Sequence, residues 1–398
     1  MRRWLEAFEE FAIDVILERR YGKRAALLRW LLYGLSWLFR AGVQTRLWLY
    51  RHRLFREHHP ACLVISIGNL TVGGTGKTPI VEKFARTLKD SGRRVAILSR
   101  GYKSKKPPVL RRLQRKWLGL ERRKPRTVHD GRRLLLDSRF AGDEPYMLAK
   151  SLGDVIVLVD KNRVRAALYA IRELKCDTLI LDDGMQYLTL RHRLEICLID
   201  AQVPFGNEYL LPRGTLREPP ANLRRANYIF VTKTPPEGNA ALIERIRSYN
   251  RTAAIVECRH QPRYLQNLYD STDRRPLEHL RGKFIAAISG IARPESFEQS
   301  LTGLGANLEI TRSFADHHRF TDKELQEFTA RCSRRDLEFI VTTEKDSVRF
   351  PAKFAGLEVP VYYLRVEIEI LTGHESWDGL VRRVCEPAEM VAPGRFFA

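Results

Sequence analysis

Ile67-Gly-Asn-Leu-Thr-Val-Gly-Gly-Thr-Gly-Lys-Thr-Pro79 is the stretch on which the fold turns. It continues the apolar run Cys62-Leu-Val-Ile-Ser-Ile-Gly68, which has the length and composition of a buried strand. It leads into Pro79–Asp90, which reads as a helix. Strand, glycine-rich loop and helix, in that order, are the setting of a phosphate-binding P-loop. Gly73, Gly74 and Gly76, with Thr75 among them, let backbone N–H groups turn toward phosphate oxygens at the positive end of the helix. Lys77 is expected to reach the β- and γ-phosphates of a nucleotide, and Thr78 to ligate Mg²⁺. Pro79 suits a first helical turn, where a missing N–H costs nothing. The general pattern wants glycine where this chain has Thr71. A purely structural turn is the competing reading, but three glycines followed by Lys-Thr at this junction favour phosphate.

Further strand candidates follow: Arg94–Ser99, Val155–Asp160, Thr178–Asp183, Glu195–Asp200 and Tyr228–Thr232, with helical stretches such as Asn162–Glu173 between several of them. The alternation resumes at Phe284–Ser289, Leu308–Thr311, Phe339–Thr343 and Val361–Leu364, with helices around Glu295–Leu304 and Asp322–Cys332. Strands alternating with helices imply an α/β fold: a P-loop-type parallel sheet sandwiched by helices, and a second, smaller α/β domain. The polar, Pro- and Arg-rich stretch Arg259–Arg281 reads as the connection between them.

Two acidic pairs stand out. Thr178-Leu-Ile-Leu-Asp-Asp-Gly184 is an apolar strand ending in carboxylates, so Asp182 or Asp183 is a candidate Mg²⁺ ligand; a plain Asp-Gly turn is the alternative. Asp143-Glu144 sits in Gly142-Asp-Glu-Pro145, where it can simply cap a helix. Phosphoryl transfer to a hydroxyl also needs a group that orients the hydroxyl and takes its proton, and Asp143 is a candidate for it.

The 398 residues are enough for two domains, and 44% hydrophobic with 29% charged content excludes wholesale disorder. The 69 Lys and Arg against 47 Asp and Glu leave +22, which implies a polyanionic neighbour. Arg100–Arg139 holds 15 basic residues against Glu121, Asp130 and Asp137, so the excess is local. The six cysteines show no C-x-x-C spacing, and a disulfide framework or zinc site is not expected.

Residues 1–55 read as helices. Trp4, Phe8, Phe11 and Val15 fall on one helix face, and Leu27, Trp30, Leu31, Leu35 and Leu38 repeat the pattern among several arginines. The uncharged run Trp30–Phe39 is far short of the roughly 20 residues a spanning helix needs. Trp, Tyr and Leu mixed with Arg suit either a helix lying in a membrane interface or one packed on the protein's own core.

Taken in order, Ser66–Pro79, Leu98-Ser-Arg-Gly-Tyr102, Gly142-Asp-Glu-Pro145, Asp182-Asp-Gly-Met-Gln186, Leu216-Arg-Glu-Pro219 and Phe314-Ala-Asp-His317 strongly resemble the tetraacyldisaccharide 4′-kinase family of lipid A biosynthesis. The matching extends from about Leu28 to about Asp346, and Thr71 is usual in that family. The resemblance implies transfer of the γ-phosphate of ATP to the 4′-hydroxyl of a tetraacyldisaccharide 1-phosphate, giving lipid IVA. It further implies Mg²⁺ and a peripheral place on the cytoplasmic face of the inner membrane. Carried over by motif, Asp143 looks like the catalytic base and His317 its partner. Gln186, Arg217 and Glu218 join Gly73–Thr78 around the nucleotide, and Glu144 is a supporting carboxylate grouped with the metal ligands Thr78, Asp182 and Asp183. Two features depart from the pattern: Met185 and Tyr187 stand where Phe and His are common, and Lys103–Arg126 lengthens a short link with 11 basic residues.

On this reading, residues 1–55 are N-terminal amphipathic helices. Residues 56–258 are the kinase core with the basic insert 103–126, 259–281 a linker and 282–398 a C-terminal α/β domain. Asp143 and His317 would then meet from different domains. The expected partners are the lipid disaccharide and an anionic membrane surface, with no nucleic acid and no obligate protein partner. The competing class is a P-loop ATPase that switches a partner or delivers a metal, which needs the loop and Asp182/Asp183 but no hydroxyl-activating pair.

Overall fold

The computed structural model describes residues 2–101, 124–352, 354 and 358–385. They form a mixed α/β protein with a large, mostly parallel sheet. The basic insert expected at 103–126 falls almost wholly outside the described residues; its last residue, Arg126, opens a strand, Arg126–Asp130.

The chain divides into two compact units, each made of separated segments. Met1–Arg100, Asp160–Arg259 and Glu369–Ala398 make the first; Gly101–Val159 and His260–Ile368 make the second. This differs from the linear division drawn from the sequence. Residues 101–159 cluster with the later α/β segment, although they follow the P-loop directly.

In the first unit the strand before the P-loop, Leu63–Asn69, is buried along its whole length. It pairs in parallel with Thr178–Asp182 on one side and Leu194–Asp200 on the other. Val95–Ser99 extends the sheet beyond Thr178–Asp182, while Tyr228–Thr232 and then Ala254–Glu257 extend it beyond Leu194–Asp200, all in parallel. Such strands are covered on both faces, which is why they read as unbroken apolar runs. One covering piece comes from far along the chain. Trp377, on the helix His374–Cys385, packs edge-on against Phe84 and Phe230, with ring centroids 5.5 and 6.0 Å away.

Two helices, Arg2–Ile16 and Lys23–Arg51, open the chain. The second docks by one narrow face: Ser36 donates to the Leu210 carbonyl at 2.8 Å, Phe39 packs on a buried cluster and Gln44 donates to Asn222. Leu27, Trp30, Leu31, Leu35, Trp37 and Leu38 point the other way and are exposed. Among the described residues no helix is long and apolar enough to cross a membrane.

The second unit has its own parallel strands in the order Asn307–Ser313, Phe284–Ser289, Phe339–Thr343, Val361–Leu364. Alternate residues feed two cores: Ala286, Ile288 and Ile340 on one face, Ile285, Ala287, Phe339 and Val341 on the other. Arg126–Asp130 and Ile156–Val159 form an antiparallel pair. The expected linker 259–281 is largely strand instead: Ala254–Asn267 runs through its first part, and Tyr264–Gln266 pairs with Arg274–Pro276. Leu265 is fully buried there, but it stands among polar residues, of which Gln266 is buried too and donates to the Asp270 and Asp273 carbonyls, so no apolar run marks the strand.

Candidate active site

The P-loop leaves its strand at Asn69 and enters the helix Lys77–Asp90 through Gly76. Gly76 is in the left-handed region at φ 76°, and Gly73 has φ 128°, values that L side chains rarely adopt. The loop is tied to its surroundings. Val72 N–H donates to the Thr215 carbonyl at 2.7 Å, Thr232 Oγ1 to the Thr75 carbonyl at 2.9 Å, and Lys233 Nζ to the Gly74 carbonyl at 3.2 Å. Asp200 anchors Lys233 at 2.5 Å.

The register that pairs Ile67 with Asp182 brings the acidic turn beside the loop. Lys77 Nζ lies 2.9 Å from Asp183 Oδ1 and 3.2 Å from Asn69 Oδ1, and Arg217 Nη1 reaches both Asp183 oxygens at 2.8 Å. Burial pushes the Asp183 carboxyl up, but Lys77 and Arg217 outweigh it and hold it at about 2. Asp183 itself sits in the left-handed region at φ 56°. Asp182 is buried, accepts a hydrogen bond from Ser99 Oγ at 2.9 Å, and its carbonyl accepts from Arg163 at 3.2 Å.

Gln186 donates to the Asn69 carbonyl at 3.0 Å and to Glu218 at 3.1 Å. Glu218 is buried, and its oxygens also receive Asn222 and Arg225, so it braces Gln186 rather than facing outward. Both substituted residues of the acidic turn are accommodated. Met185 is fully buried in the core, and the Tyr187 hydroxyl accepts the Arg163 N–H at 3.0 Å at the start of the helix Arg163–Arg172.

Thr78, Asp182 and Asp183 offer hydroxyl and carboxylate oxygens. This donor set fits Mg²⁺, which takes one or two carboxylates and fills its remaining positions with phosphate and water. Among the described residues no group of three or more His, Cys, Asp and Glu side chains is placed to hold a metal by itself. Glu144, the fourth expected ligand, belongs to the second unit and follows Asp143 in the first turn of the helix Asp143–Leu152.

Asp143 and His317 belong to that same second unit, contrary to the expectation that they meet from different domains. The physical reason is that Gly101–Val159 packs with His260–Ile368, so no rearrangement between domains is needed to pair them. His317 Nδ1 lies 3.2 Å from Asp143 Oδ2. Arg319 Nη2 donates to Asp143 Oδ1 at 2.8 Å and Arg349 Nε to Oδ2 at 2.9 Å. Burial pushes the Asp143 carboxyl up, yet His317, Arg349 and Arg319 together hold it below the usual carboxylate range. The Arg349 side chain has no exposed surface. Its Nη1 donates to Asp346 Oδ1 at 2.7 Å and to the Gly290 carbonyl at 2.8 Å, and its Nη2 lies 3.0 Å from His317 Nδ1.

Asn69, Arg163, Lys233, Arg319 and Arg349 escape sequence reasoning. Arg319 follows His317 by two positions, which is the one local hint among them.

Comparison with known proteins points the same way. A sequence model of the family described as tetraacyldisaccharide-1-P 4′-kinase matches residues 28–385. The chain is 41% identical over 344 residues to the tetraacyldisaccharide 4′-kinase of Anaeromyxobacter dehalogenans strain 2CP-C, covering 84% of this chain and 85% of that one. It is 33% identical over 388 residues to the corresponding protein of Halothermothrix orenii, covering 93% and 96%. Among solved structures, an "apo" form of LpxK from Aquifex aeolicus in complex with ATP superposes with a TM-score of 0.70 at 28% identity. It covers 90% of this chain and 100% of that one.

Proposed function

Because this chain belongs to the tetraacyldisaccharide-1-P 4′-kinase family and so carries the 4′-kinase activity of lipid A biosynthesis, we propose how its own residues divide the work. The P-loop amides and Lys77 bind the β- and γ-phosphates of ATP; that the Aquifex aeolicus relative was solved with ATP supports a nucleotide here. Arg217, in contact with Gln186, which Glu218 braces in turn, lies beside Lys77 through their shared partner Asp183 and adds a second cation for phosphate charge. Thr78 with Asp182 or Asp183 holds Mg²⁺, which when bound neutralises phosphate charge.

Asp143 accepts the proton of the 4′-hydroxyl as that oxygen bonds to the γ-phosphorus. The bond from the γ-phosphorus to the bridging oxygen breaks and ADP leaves. Arg319 and Arg349 donate to the Asp143 carboxylate and hold it ionised, the form that can take a proton, with His317 Nδ1 beside it at 3.2 Å. What carries this reading is the presence of a half-buried carboxylate–histidine pair in addition to a lysine-bearing P-loop. A switch ATPase or metal-delivery protein needs only the second.

The exposed apolar stripe on the helix Lys23–Arg51 supports a peripheral, monotopic place on the cytoplasmic face of the inner membrane. A tetraacylated substrate resides in a leaflet, and this stripe gives the enzyme apolar surface to bury there. The charge of the insert 103–126 adds attraction to anionic lipid.

The deciding experiment supplies radiolabelled ATP with and without the lipid disaccharide in detergent micelles. Label on the lipid, lost in Asp143→Ala, is the expected result. ATP hydrolysis that ignores the lipid and survives Asp143→Ala would favour the switch class.

A further inference from the structure

His317 Nδ1 has two neighbours that ask opposite things of it. Toward Asp143 Oδ2, at 3.2 Å, it has to donate a proton; toward Arg349 Nη2, at 3.0 Å, it has to accept one. A guanidinium only donates. If Nδ1 carried a proton, two N–H groups would face each other in a buried site, and a donor of the fully buried Arg349 would lose its acceptor. Asp143 Oδ2 keeps a donor in the opposite arrangement, since Arg349 Nε reaches it at 2.9 Å.

The geometry points to Arg349 as a positioning residue that splints the Asp143–His317 pair: one edge of its guanidinium serves both, and it fixes the imidazole as the Nε2–H tautomer. The neutral ring's proton then sits on Nε2, 3.6 Å from Asp316 Oδ2. The opposite edge of the guanidinium is locked by Asp346 and the Gly290 carbonyl. Asp346 is itself fixed, accepting from Gly290 N–H at 2.9 Å and Thr343 Oγ1 at 2.7 Å. The His317 N–H also donates to the Gly290 carbonyl at 3.3 Å, so histidine backbone and arginine share one anchor. A lysine cannot reproduce this, because its single ammonium has no planar fork to span two acceptors at once.

This rests on the reading of Asp143 and His317 given above, and the test separates the two. The full-length chain, labelled with ¹⁵N-histidine, is examined by two-bond ¹H–¹⁵N correlation at about pH 8.5, above the usual imidazole range. His317→Gln identifies the resonance. The expected pattern is the Nε2–H tautomer, giving way to a mixture in Arg349→Lys. Turnover of Arg349→Lys should fall roughly 10–100-fold while the KM for ATP holds, as a misplaced group lowers kcat without touching nucleotide binding.

An Nδ1–H tautomer in the unaltered protein overturns the proposal whether or not any variant folds. Normal turnover of Arg349→Lys beside an impaired Asp143→Ala overturns the splint alone. Normal turnover of Asp143→Ala removes the catalytic reading, and the splint's purpose with it.

Discussion

Gly68 has no side chain because Met185 occupies the space: a Cβ there would lie 2.6 Å from Met185 Cβ and 2.8 Å from its backbone nitrogen. The P-loop strand and the acidic turn thus touch backbone to backbone, and the Lys77–Asp183 contact depends on that closeness. Gly68→Ala should cost about 1–3 kcal/mol of stability, the usual range for overpacking, and should also raise the KM for ATP. Gly74→Ala meets nothing within 4 Å, so its melting temperature should stay near that of the unaltered protein. Thermal melts paired with ATP titrations check both, and an unchanged Gly68→Ala would show that the strand can shift without harm. Asp143→Ala and His317→Ala should each reduce turnover by roughly 10²-fold with ATP binding largely intact, because neither lies on the phosphate loop. Lys77→Ala should abolish transfer even at saturating nucleotide. Isothermal titration and single-turnover kinetics would distinguish these two patterns.

The helix Lys23–Arg51 shows how an element can satisfy two environments. Its docked face is held by polar contacts, Ser36 to Leu210 and Tyr50 to Thr189, while its large apolar residues are left outward. Trp30 is 76% exposed and Leu38 70% exposed, so replacing them removes little packing within the protein. Trp30→Gln, Leu31→Gln and Leu38→Gln together should therefore leave thermal stability almost unmoved. Vesicle affinity should fall roughly tenfold per residue, as each loses apolar area worth more than about 1 kcal/mol in the interface. Raising the salt should not restore or deepen that loss, whereas Lys/Arg→Gln changes in the insert should act only at low salt. Flotation with anionic vesicles at two ionic strengths reads both, and unchanged flotation of the triple variant would remove the helix from the membrane.

Across the molecule, what could be read from the sequence was whatever announces itself locally. The strand Leu63–Asn69, the P-loop and the helix after it carry glycines, Lys-Thr and a continuous apolar run, and they sit where those signals put them. The acidic turn likewise follows from an apolar strand ending in Asp182-Asp183. Arg319 and Arg349 could not be picked out, because one arginine among 69 basic residues means nothing until its burial is known. Nor could the grouping of 101–159 with 260–368, since chain order does not state which segments share a core. The same holds for Trp377, whose partners Phe84 and Phe230 lie far upstream. Trp377→Ala should destabilise the first unit by about 3–5 kcal/mol, measurable as a lower urea midpoint and weaker ATP binding. Full ATP affinity in a chain stopped after Ile368 would contradict this. There is also a consequence in time. A ribosome releases this chain from its N-terminus, so the nucleotide-binding unit begins first yet waits for residues 374–385 before Phe84 and Phe230 are covered. Until then the nascent chain displays an uncovered aromatic surface, the kind of site a holding chaperone grips.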